Sequence, residues 1–295
     1  MEFRPFRVQL WTRFRGTDER RGVLIRGRRP DGTDAWGEYS PFPDYTPERA
    51  SRWWSAAMEA ARGEWPAFVR DQVPVNAIIP ELPSGRAAQL ARRGGCGTAK
   101  VKVAGTVSLR DDVRRVEAVA VALGPEGRVR VDANGAWDVD TAVRSLKELD
   151  AAARAGGGQG LEYVEQPCRT VAELAEVRRR TDVLVAADES VRIPGDADEV
   201  VRAGAADILV LKVAPMGGVQ VCLDTAERHG LPVVVSSAME SSVGLAAGVA
   251  LARALPELPF ACGLGTSVLL ATDTVRTPLV PHGGMMGDLG LDVIV

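Results

Sequence analysis

Residues 128–167 read RVRVDANGAWDVDTAVRSLKELDAAARAGGGQGLEYVEQP and contain one complete repeat of the chain's architecture. Valine and charged residues alternate in RVRVDAN (128–134), and LEYVEQP (161–167) has a similar pattern, which predicts two strands. Between them, DVDTAVRSLKELDAAARA (138–155) has the apolar spacing of an amphipathic helix. A strand, a helix and a second strand in this order predict a parallel β-α-β unit.

The same alternation continues on both sides of this unit, from about residue 73 onward. The other strand candidates are 75–79, 100–104, 183–190, 207–213, 232–238 and 259–265, and a second clear helix is 108–123. Eight strands that alternate with helices predict β/α units closing into a barrel. An open doubly wound sheet is the main alternative, but no GxGxxG motif follows the first strand.

The first 72 residues do not follow this rhythm. Strand patterns at 6–14, 22–28 and 35–40 precede a helical pattern at 46–61. We therefore expect an α+β capping domain (1–72), a barrel domain (73–266) and a C-terminal segment (267–295) that returns to the cap.

The polar stretch FRGTDERRG (14–22) is predicted to be a mobile loop between two strands of the cap. Arg13 and Arg15 border this loop. They either close over a substrate or remain solvated charges.

Composition limits the classes of function. The 295 residues carry a net charge of −3, which gives no reason to expect nucleic acid or an anionic membrane as a partner. No run of about 18 apolar residues predicts a transmembrane helix. The four cysteines are scattered without a CxxC pair, so they favour structural thiols in a reducing cytoplasm. With two histidines, a Ser–His–Asp triad or a multi-histidine metal site is disfavoured.

Charged residues occur near the carboxyl ends of five consecutive predicted strands, where barrel enzymes place their catalytic groups. They are Lys102, Asp132, Glu165, Asp188 and Lys212. A buried carboxylate costs several kcal/mol unless it is paired or metal-bound, so three on consecutive strands require a cation. Oxygen ligands without nearby His or Cys favour Mg²⁺ over zinc, with Mn²⁺ as a substitute. Considered singly, each acid could instead cap a turn or helix.

Two lysines lie two residues apart in KVKVA (100–104), so Lys100 and Lys102 face the same side of a strand. A solvated edge strand is the ordinary explanation for such a pair. On a barrel, however, Lys212 would face Lys102 across a metal-bound substrate. A buried lysine beside another cation loses its proton more readily, so we expect Lys100 to help Lys102 act as a base.

Motifs along nearly the whole chain resemble the enolase superfamily, in its muconate-lactonising-enzyme subgroup. The motifs are KVK (100–102), VDANGAW (131–137), VEQP (164–167), ADES (187–190), LVLKVAPMGG (209–218) and, in the cap, WGEYSP (36–41). The resemblance implies a modified TIM barrel, (β/α)₇β, with an N-terminal α+β cap and Mg²⁺ held by Asp132, Glu165 and Asp188. A mandelate-racemase-type member would need a histidine in the segment that here reads SSAMES (236–241).

Within that subgroup, RVDAN, EQPC, ADESVR and SSAMESSVG are most similar to o-succinylbenzoate synthases of the compact actinobacterial form. This resemblance implies a hydro-lyase of menaquinone biosynthesis with a small-molecule carboxylate substrate. The reaction would be Mg²⁺-dependent syn-dehydration of 2-succinyl-6-hydroxy-2,4-cyclohexadiene-1-carboxylate. Lys102 would remove the α-proton and protonate the departing hydroxyl, while Lys212 would stay protonated and stabilise the enolate.

Two other functions stay open. An N-acylamino-acid racemase or dipeptide epimerase would use the same metal and lysines, although CGLGTS (262–267) lacks the acidic pair expected of a dipeptide enzyme. A non-catalytic metal-binding scaffold would be expected to have lost one of the lysines. The chain could act as a monomer or a small homo-oligomer.

The remaining candidates would contact the substrate. Asn134 either binds the metal-bound carboxylate or supports the site, and Arg130 either supports a neighbouring carboxylate or forms a core ion pair. The residues at the ends of the seventh and eighth strands are Ser236, Ser237, Glu240, Gly263 and Gly265. Small residues there let backbone N–H groups approach a succinyl carboxylate, or they simply make tight turns.

Overall fold

A three-stranded antiparallel sheet and one helix form the N-terminal cap in the computed structural model, which describes residues 1–14 and 17–294, with only the backbone of 12–14. The elements are β1 (Glu2–Phe14), β2 (Thr17–Arg28), β3 (Asp34–Tyr39) and α1 (Pro47–Arg62). Helix α1 begins where predicted, because the Thr46 hydroxyl accepts a hydrogen bond from the N–H of Arg49 and Pro47 fits the first turn.

The prediction of a loop at 14–22 is wrong for residues 17–22. These residues belong to β2, which pairs with β1. A polar sequence forms a strand here because Arg20 is buried, with its guanidinium 4.2 Å from the ring centre of Phe42. Arg15 and the side chain of Arg13, the two candidates for closing over a substrate, lie outside the described residues.

Seven parallel strands follow in sequential order and curl into the barrel wall. They are β5 (Ala77–Ile79), β6 (Thr98–Lys102), β7 (Arg128–Asp132), β8 (Leu161–Glu165), β9 (Val185–Ala187), β10 (Ile208–Leu211) and β11 (Val233–Val235), preceded by the short β4 (Val73–Pro74). The helices outside them are α2 (Ser84–Ala91), α3 (Leu109–Leu123), α4 (Val139–Ala155), α5 (Val171–Arg180), α6 (Asp196–Arg202), α7 (Val213–Met216), α8 (Val219–His229) and α9 (Ser242–Ala254). Strands and helices bury a common apolar core rich in valine and alanine.

The prediction of an eighth strand at 259–265 is wrong, because only two residues of this segment pair with other strands or segments of the barrel. Cys262 forms a parallel bridge with Val75, and Gly263 forms one with Ser236. The Gly263 N–H donates to the Val235 carbonyl at 2.8 Å, so these residues close the barrel between its first and seventh strands. Pairing stops there because the chain turns into a short 3₁₀ helix at Gly265–Leu269. The result is a modified TIM barrel in which the last β position is reduced to two residues.

The C-terminal segment contacts both the cap and the barrel. The N–H of Ala271 donates to the carbonyl of Gln9 in β1, and β12 (Met285–Met286) pairs with β4. In the described ranges, no helix has both the length and the apolar character needed to cross a membrane.

Candidate active site

The predicted charged residues meet at one end of the barrel. Lys102, Asp132 and Glu165 are the last residues of β6, β7 and β8, and they are in-register neighbours across the three strands. Asp188 and Lys212 directly follow β9 and β10. The five side chains therefore line the carboxyl ends of five adjacent parallel strands, as their spacing in the sequence predicted.

Each carboxylate contacts a lysine. Lys100 Nζ donates to both carboxylate oxygens of Glu165, at 2.7 and 2.8 Å. Lys102 Nζ lies 2.5 Å from Asp132 Oδ2, and Lys212 Nζ donates to Asp188 Oδ2 at 2.7 Å. Lys100 also lies 3.5 Å from Asp132 Oδ2, so the two lysines of β6 share Asp132, and Lys100 in addition pairs with Glu165.

Sequence reasoning missed Arg192 and the role of Glu189. Arg192 Nη2 donates to Asp188 Oδ2 at 3.0 Å, and its guanidinium lies 3.5 Å from Glu189. Asn134 joins the two sides of the site, since it accepts from Lys102 at 2.9 Å and donates to Glu189 at 3.1 Å. The position of Arg192, four residues after Asp188 in ADESVR, was the available signal.

Neighbouring cations keep two of the carboxyls ionised. Burial raises the pKa of Asp132, but Lys102 and Lys100 outweigh it and hold the pKa well below its usual range. Burial likewise opposes ionisation of Asp188, and the Arg192 guanidinium is the strongest of the groups that lower its pKa to about 2. Both aspartates are therefore anions near neutral pH.

The third carboxyl and the two buried lysines behave differently. Burial raises the pKa of Glu165 to about 7, although Lys100 opposes the rise. Burial lowers the pKa of Lys100, but Glu165 and Asp132 together with other nearby anionic groups outweigh it, so the pKa of Lys100 rises. For Lys212, burial and the nearby Arg192 together lower the pKa. Lys212 therefore loses its proton more readily than an ordinary lysine.

The carboxylates of Asp132, Glu165 and Asp188 are of the type that binds a hard divalent cation. They are not, however, already arranged around a common metal position. Among the residues that the structure describes, no three His, Cys, Asp or Glu side chains form a ready-made metal group. The three carboxylates face lysines, so a metal ion would have to displace these contacts. Asp188 Oδ1 is buried and accepts no aligned hydrogen bond, although Arg192 Nη1 lies 3.0 Å away. A buried oxygen in this state is suited to a cation.

Backbone strain is concentrated near the same end of the barrel. The non-glycine residues with positive φ in the described ranges are Ala104, Asn134, Gln166 and Met239, at 60°, 48°, 40° and 63°. All four follow barrel strands by a few residues, and such strain is typical of functional sites.

Gln166 has a further structural role that sequence reasoning missed. Its Oε1 accepts from the N–H groups of Asp188 and Ser190, and its Nε2 donates to the Ser190 hydroxyl and the Cys168 carbonyl. This buried amide therefore ties the loop after β8 to the loop that carries Asp188. The motif VEQP contained the residue, but only the fold shows its partners.

Arg130 lies in the barrel interior and not among the three carboxylates. Its Nε contacts Glu162 at 2.5 Å, and its Nη1 donates to Asn76 and to the Ala261 carbonyl. The guanidinium also stacks 4.6 Å from the ring centre of Tyr163. These contacts match the core ion pair that was the alternative to support of a neighbouring carboxylate in the site.

The residues after β11 lie beside the end of β10, the strand that Lys212 directly follows. The Ser236 N–H donates to the carbonyl of Leu211, the residue before Lys212. Ser237 is buried, and its hydroxyl lies 2.7 Å from that of Thr266. Glu240 is also buried, and its carboxylate accepts from the N–H of Ala238.

Gly263 and Gly265 serve close packing. A Cβ at Gly263 would collide with the Ser236 hydroxyl, and one at Gly265 would collide with the carbonyl of Asn76. The Gly263 N–H is engaged by Val235 and so closes the barrel. The Gly263 N–H is therefore not free for a substrate carboxylate, and the close contact with Ser236 accounts for a glycine at this position.

The cap covers two loops of this barrel end. Phe42 and Trp53 of the cap form one buried cluster with Ala214, which follows β10, and Ala238, which follows β11. Cap aromatics therefore pack directly against segments that flank Lys212.

Two surface cavities in the described part of the chain lie away from this site. A cavity of about 420 Å³ between the cap sheet and the C-terminal segment is lined by residues that include Arg26, Trp36 and Leu291. Another of about 620 Å³ lies between α4 and α5. Neither is lined by the five charged residues, so the site is identified by its charge cluster and strained loops.

Comparison with known proteins agrees with this architecture. The family model for the enolase C-terminal domain-like family matches residues 84–288, and the enolase N-terminal domain-like model matches residues 6–61. The L-Ala-D/L-Glu epimerase from Bacillus subtilis has a TM-score of 0.83 at 22% identity, covering 99% of this chain and 96% of that one. Muconate lactonizing enzyme from Pseudomonas fluorescens has a TM-score of 0.80 at 23% identity, with the same coverage. These two likenesses concern the fold alone.

Two curated relatives are much more similar in sequence. The o-succinylbenzoate synthase of Thermobifida fusca (strain YX) is 56% identical over 294 residues, covering 99% of this chain and 89% of the relative. The o-succinylbenzoate synthase of Mycolicibacterium smegmatis (strain ATCC 700084 / mc(2)155) is 51% identical over 284 residues, covering 96% and 83%. Enolase-superfamily enzymes use a divalent metal ion, generally Mg²⁺. The resemblance seen in the motifs is confirmed: this chain belongs to the enolase superfamily and, within it, to the o-succinylbenzoate synthase family.

Proposed function

We propose that the chain is an o-succinylbenzoate synthase, a hydro-lyase that converts 2-succinyl-6-hydroxy-2,4-cyclohexadiene-1-carboxylate to 2-succinylbenzoate in menaquinone biosynthesis. The observation that carries this proposal is 49–56% identity to curated o-succinylbenzoate synthases over nearly the whole chain. The barrel end that holds Lys102 and Lys212 supports it. Because its four cysteines are buried free thiols, we propose the cytoplasm as its compartment.

We assign Asp132, Glu165 and Asp188 as the ligands of Mg²⁺, with Mn²⁺ as a substitute. All three are buried carboxylates on neighbouring strands, and an all-oxygen ligand set favours these ions. When bound, the ion supplies positive charge that binds the substrate carboxylate and offsets the negative charge formed during proton removal.

Lys102 is the proposed base. Its side chain is 27% exposed, whereas Lys100 is buried and directs its ammonium group at Glu165. Lys102 Nζ takes the proton from the α-carbon, and the resulting ammonium returns that proton to the hydroxyl that leaves on the same face, so that water departs. Lys100 contributes positive charge behind it.

Lys212 is the proposed electrostatic partner on the opposite side of the substrate. Its side chain is buried, so its ammonium group stays within the site when a metal ion takes over the contact with Asp188. A buried cation there stabilises the negative charge that develops on the substrate and can contact the face of the ring. Two roles remain for the other candidates. We propose that Asn134 binds the substrate carboxylate next to the reacting carbon. We propose that the loop with Ser236 and Ser237 binds the succinyl carboxylate.

The decisive assay offers the purified chain the cyclohexadiene substrate with Mg²⁺ and after chelation, beside a panel of N-acyl amino acids and dipeptides in D₂O. We expect Mg²⁺-dependent loss of water from the cyclohexadiene. Deuterium incorporation into the panel without dehydration of the cyclohexadiene would instead support a racemase or epimerase. Metal binding with no turnover of any compound would support a non-catalytic scaffold.

A further inference from the structure

One buried carboxylate of the cap reaches into the barrel. Glu38 of β3 is 4% exposed, and it accepts hydrogen bonds from the N–H and hydroxyl of Ser241 and from the N–H of Gly244. The Ser40 hydroxyl also donates to it at 2.6 Å. These four hydrogen-bond donors compensate for the burial of the Glu38 carboxylate. Because each donor has a defined direction, they also fix the position of Glu38 relative to Ser241 and Gly244.

The partner of Glu38 is the β11–α9 loop, which we define as residues 236–241. Its first residue, Ser236, donates its N–H to Leu211 beside Lys212. Its last residue, Ser241, is the N-cap of α9, where its hydroxyl accepts from the N–H of Val243. The loop therefore runs from the neighbourhood of Lys212 to the residue that Glu38 holds.

The loop is strained and internally linked, so its two ends are not independent. Met239 has a φ of 63°, and its carbonyl accepts from Arg20 of the cap at 3.1 Å. Its N–H donates to the Ser237 hydroxyl, which lies 2.7 Å from that of Thr266. A change at Ser241 would therefore be passed through Met239 to Ser237.

We propose that Glu38 is a positioning residue: it holds in place the β11–α9 loop, the segment that we assign to the distal carboxylate of the substrate. This inference rests on the proposed function for the identity of that carboxylate. The cap would thus contribute to substrate binding through Glu38, a buried residue that does not itself touch the substrate.

Glu59 provides a matched control. It is another cap glutamate that accepts N–H bonds from the start of a barrel helix, in this case from Val219 and Gln220 of α8. Residues proposed to bind the substrate are absent from this contact. Loss of cap docking in general would affect Glu38→Gln and Glu59→Gln alike, whereas loss of loop position would affect only Glu38→Gln.

The test compares steady-state kinetics of the full chain and the two variants with Mg²⁺ and the cyclohexadiene substrate. We expect Glu38→Gln to raise KM about fivefold or more while kcat stays within about twofold, because ground-state and transition-state binding are lost together. Glu59→Gln should leave both constants within about twofold of the wild type. Equal changes in KM for the two variants would overturn the proposal.

Hydrogen–deuterium exchange of residues 236–244 in the substrate-free protein gives a second readout. We expect faster exchange in Glu38→Gln than in Glu59→Gln or the wild type, and equal exchange in all three would refute the positioning role. If the wild type does not dehydrate the cyclohexadiene, the proposed function fails, and exchange alone decides whether Glu38 holds the loop. Should Glu38→Gln not fold, Glu38→Asp is used, since it keeps the charge and shortens the reach.

Discussion

At the scale of single residues, the site is a set of matched charges. Two lysines side by side on one strand face would repel each other in a solvated sheet. Here Lys100 contacts Glu165 of β8 and lies 3.5 Å from Asp132 of β7, and Lys102 contacts the same Asp132 oxygen. The acids compensate the lysines in the same way, since a buried carboxylate without a partner is costly. Catalytic groups can thus be buried together without unfolding the barrel end.

Replacing the proposed base should separate chemistry from metal binding. We expect Lys102→Ala to lower kcat by about 10³-fold or more, because no other group is assigned to move the proton. The affinity for Mg²⁺, measured by calorimetric titration, should not fall below that of the wild type, because Lys102 is not a metal ligand and competes for Asp132. Lys147→Ala, on the exposed face of α4, is the control. Substantial residual turnover in Lys102→Ala would remove Lys102 from the role of base.

Glu240 should make stability depend on pH. Burial raises its pKa, and Glu38 adds to the rise. Because the pKa is higher in the folded protein than in the unfolded chain, ionisation of Glu240 costs stability as pH rises from the unfolded to the folded pKa. The Tm of Glu240→Gln relative to the wild type should therefore increase as pH rises above about 4, the ordinary pKa of a glutamate. Glu257→Gln, an exposed glutamate, is the control, and a flat difference for Glu240→Gln would contradict the assignment.

At the scale of elements, helix and strand positions followed from local signals where those signals were strong. The helix predicted at 108–123 is observed as Leu109–Leu123, because the Ser108 side chain caps it. The helix at 138–155 is observed as Val139–Ala155, capped by Asp138. Such caps can be read from a sequence because they act within one turn.

The errors arose where distant residues decide the structure. Residues 17–22 look like a loop, yet they are a strand because the guanidinium of Arg20 finds an aromatic ring and two backbone carbonyls in the cap and barrel. The segment 259–265 looks like a strand, yet it pairs only at Cys262 and Gly263. Partners so far apart in the chain leave no periodic signal.

Close packing of α1 on the cap sheet supplies a test at this scale. A Cβ at Gly37 of β3 would collide with the backbone carbonyl of Ala57 in α1, which cannot move like a flexible side chain. We expect Gly37→Ala to destabilise the protein by about 1–3 kcal/mol, seen as a lower denaturation midpoint. Gly85→Ala in α2 meets no atom within 4 Å and should not lower it. Equal midpoints for Gly37→Ala and the wild type would show that the helix can shift freely.

At the scale of the whole molecule, carboxylates outside the barrel dock onto the starts of its helices. Glu59 accepts N–H groups at the start of α8, Glu38 does so at α9, and Asp273 of the C-terminal segment accepts from Ser242 in α9. Negative charge at a helix N-terminus is favourable. Cap, barrel and C-terminal segment are joined at the end of the barrel where the charged residues lie.

The contacts that join the cap, the barrel and the C-terminal segment could not be predicted from the sequence. The order of the five charged residues along the strand ends could be predicted. Strand ends in a parallel barrel meet at one edge, so Asp132 and Glu165 could be paired from spacing alone. Gln166 and Arg192 were missed because their partners depend on how the loops turn after each strand. The same limit applied to Glu38, whose barrel partners Ser241 and Gly244 lie about 200 residues further along the chain.

The central claim is that Asp132, Glu165 and Asp188 exchange their lysine contacts for one metal ion beside the substrate. The most direct measurement is a crystal structure of the full chain with Mg²⁺ and 2-succinylbenzoate. We predict one Mg²⁺ at about 2.0–2.1 Å from an oxygen of each of the three side chains, with Lys102 and Lys212 on opposite faces of the product ring. A metal ion bound elsewhere, or a product outside the space between the two lysines, would contradict it.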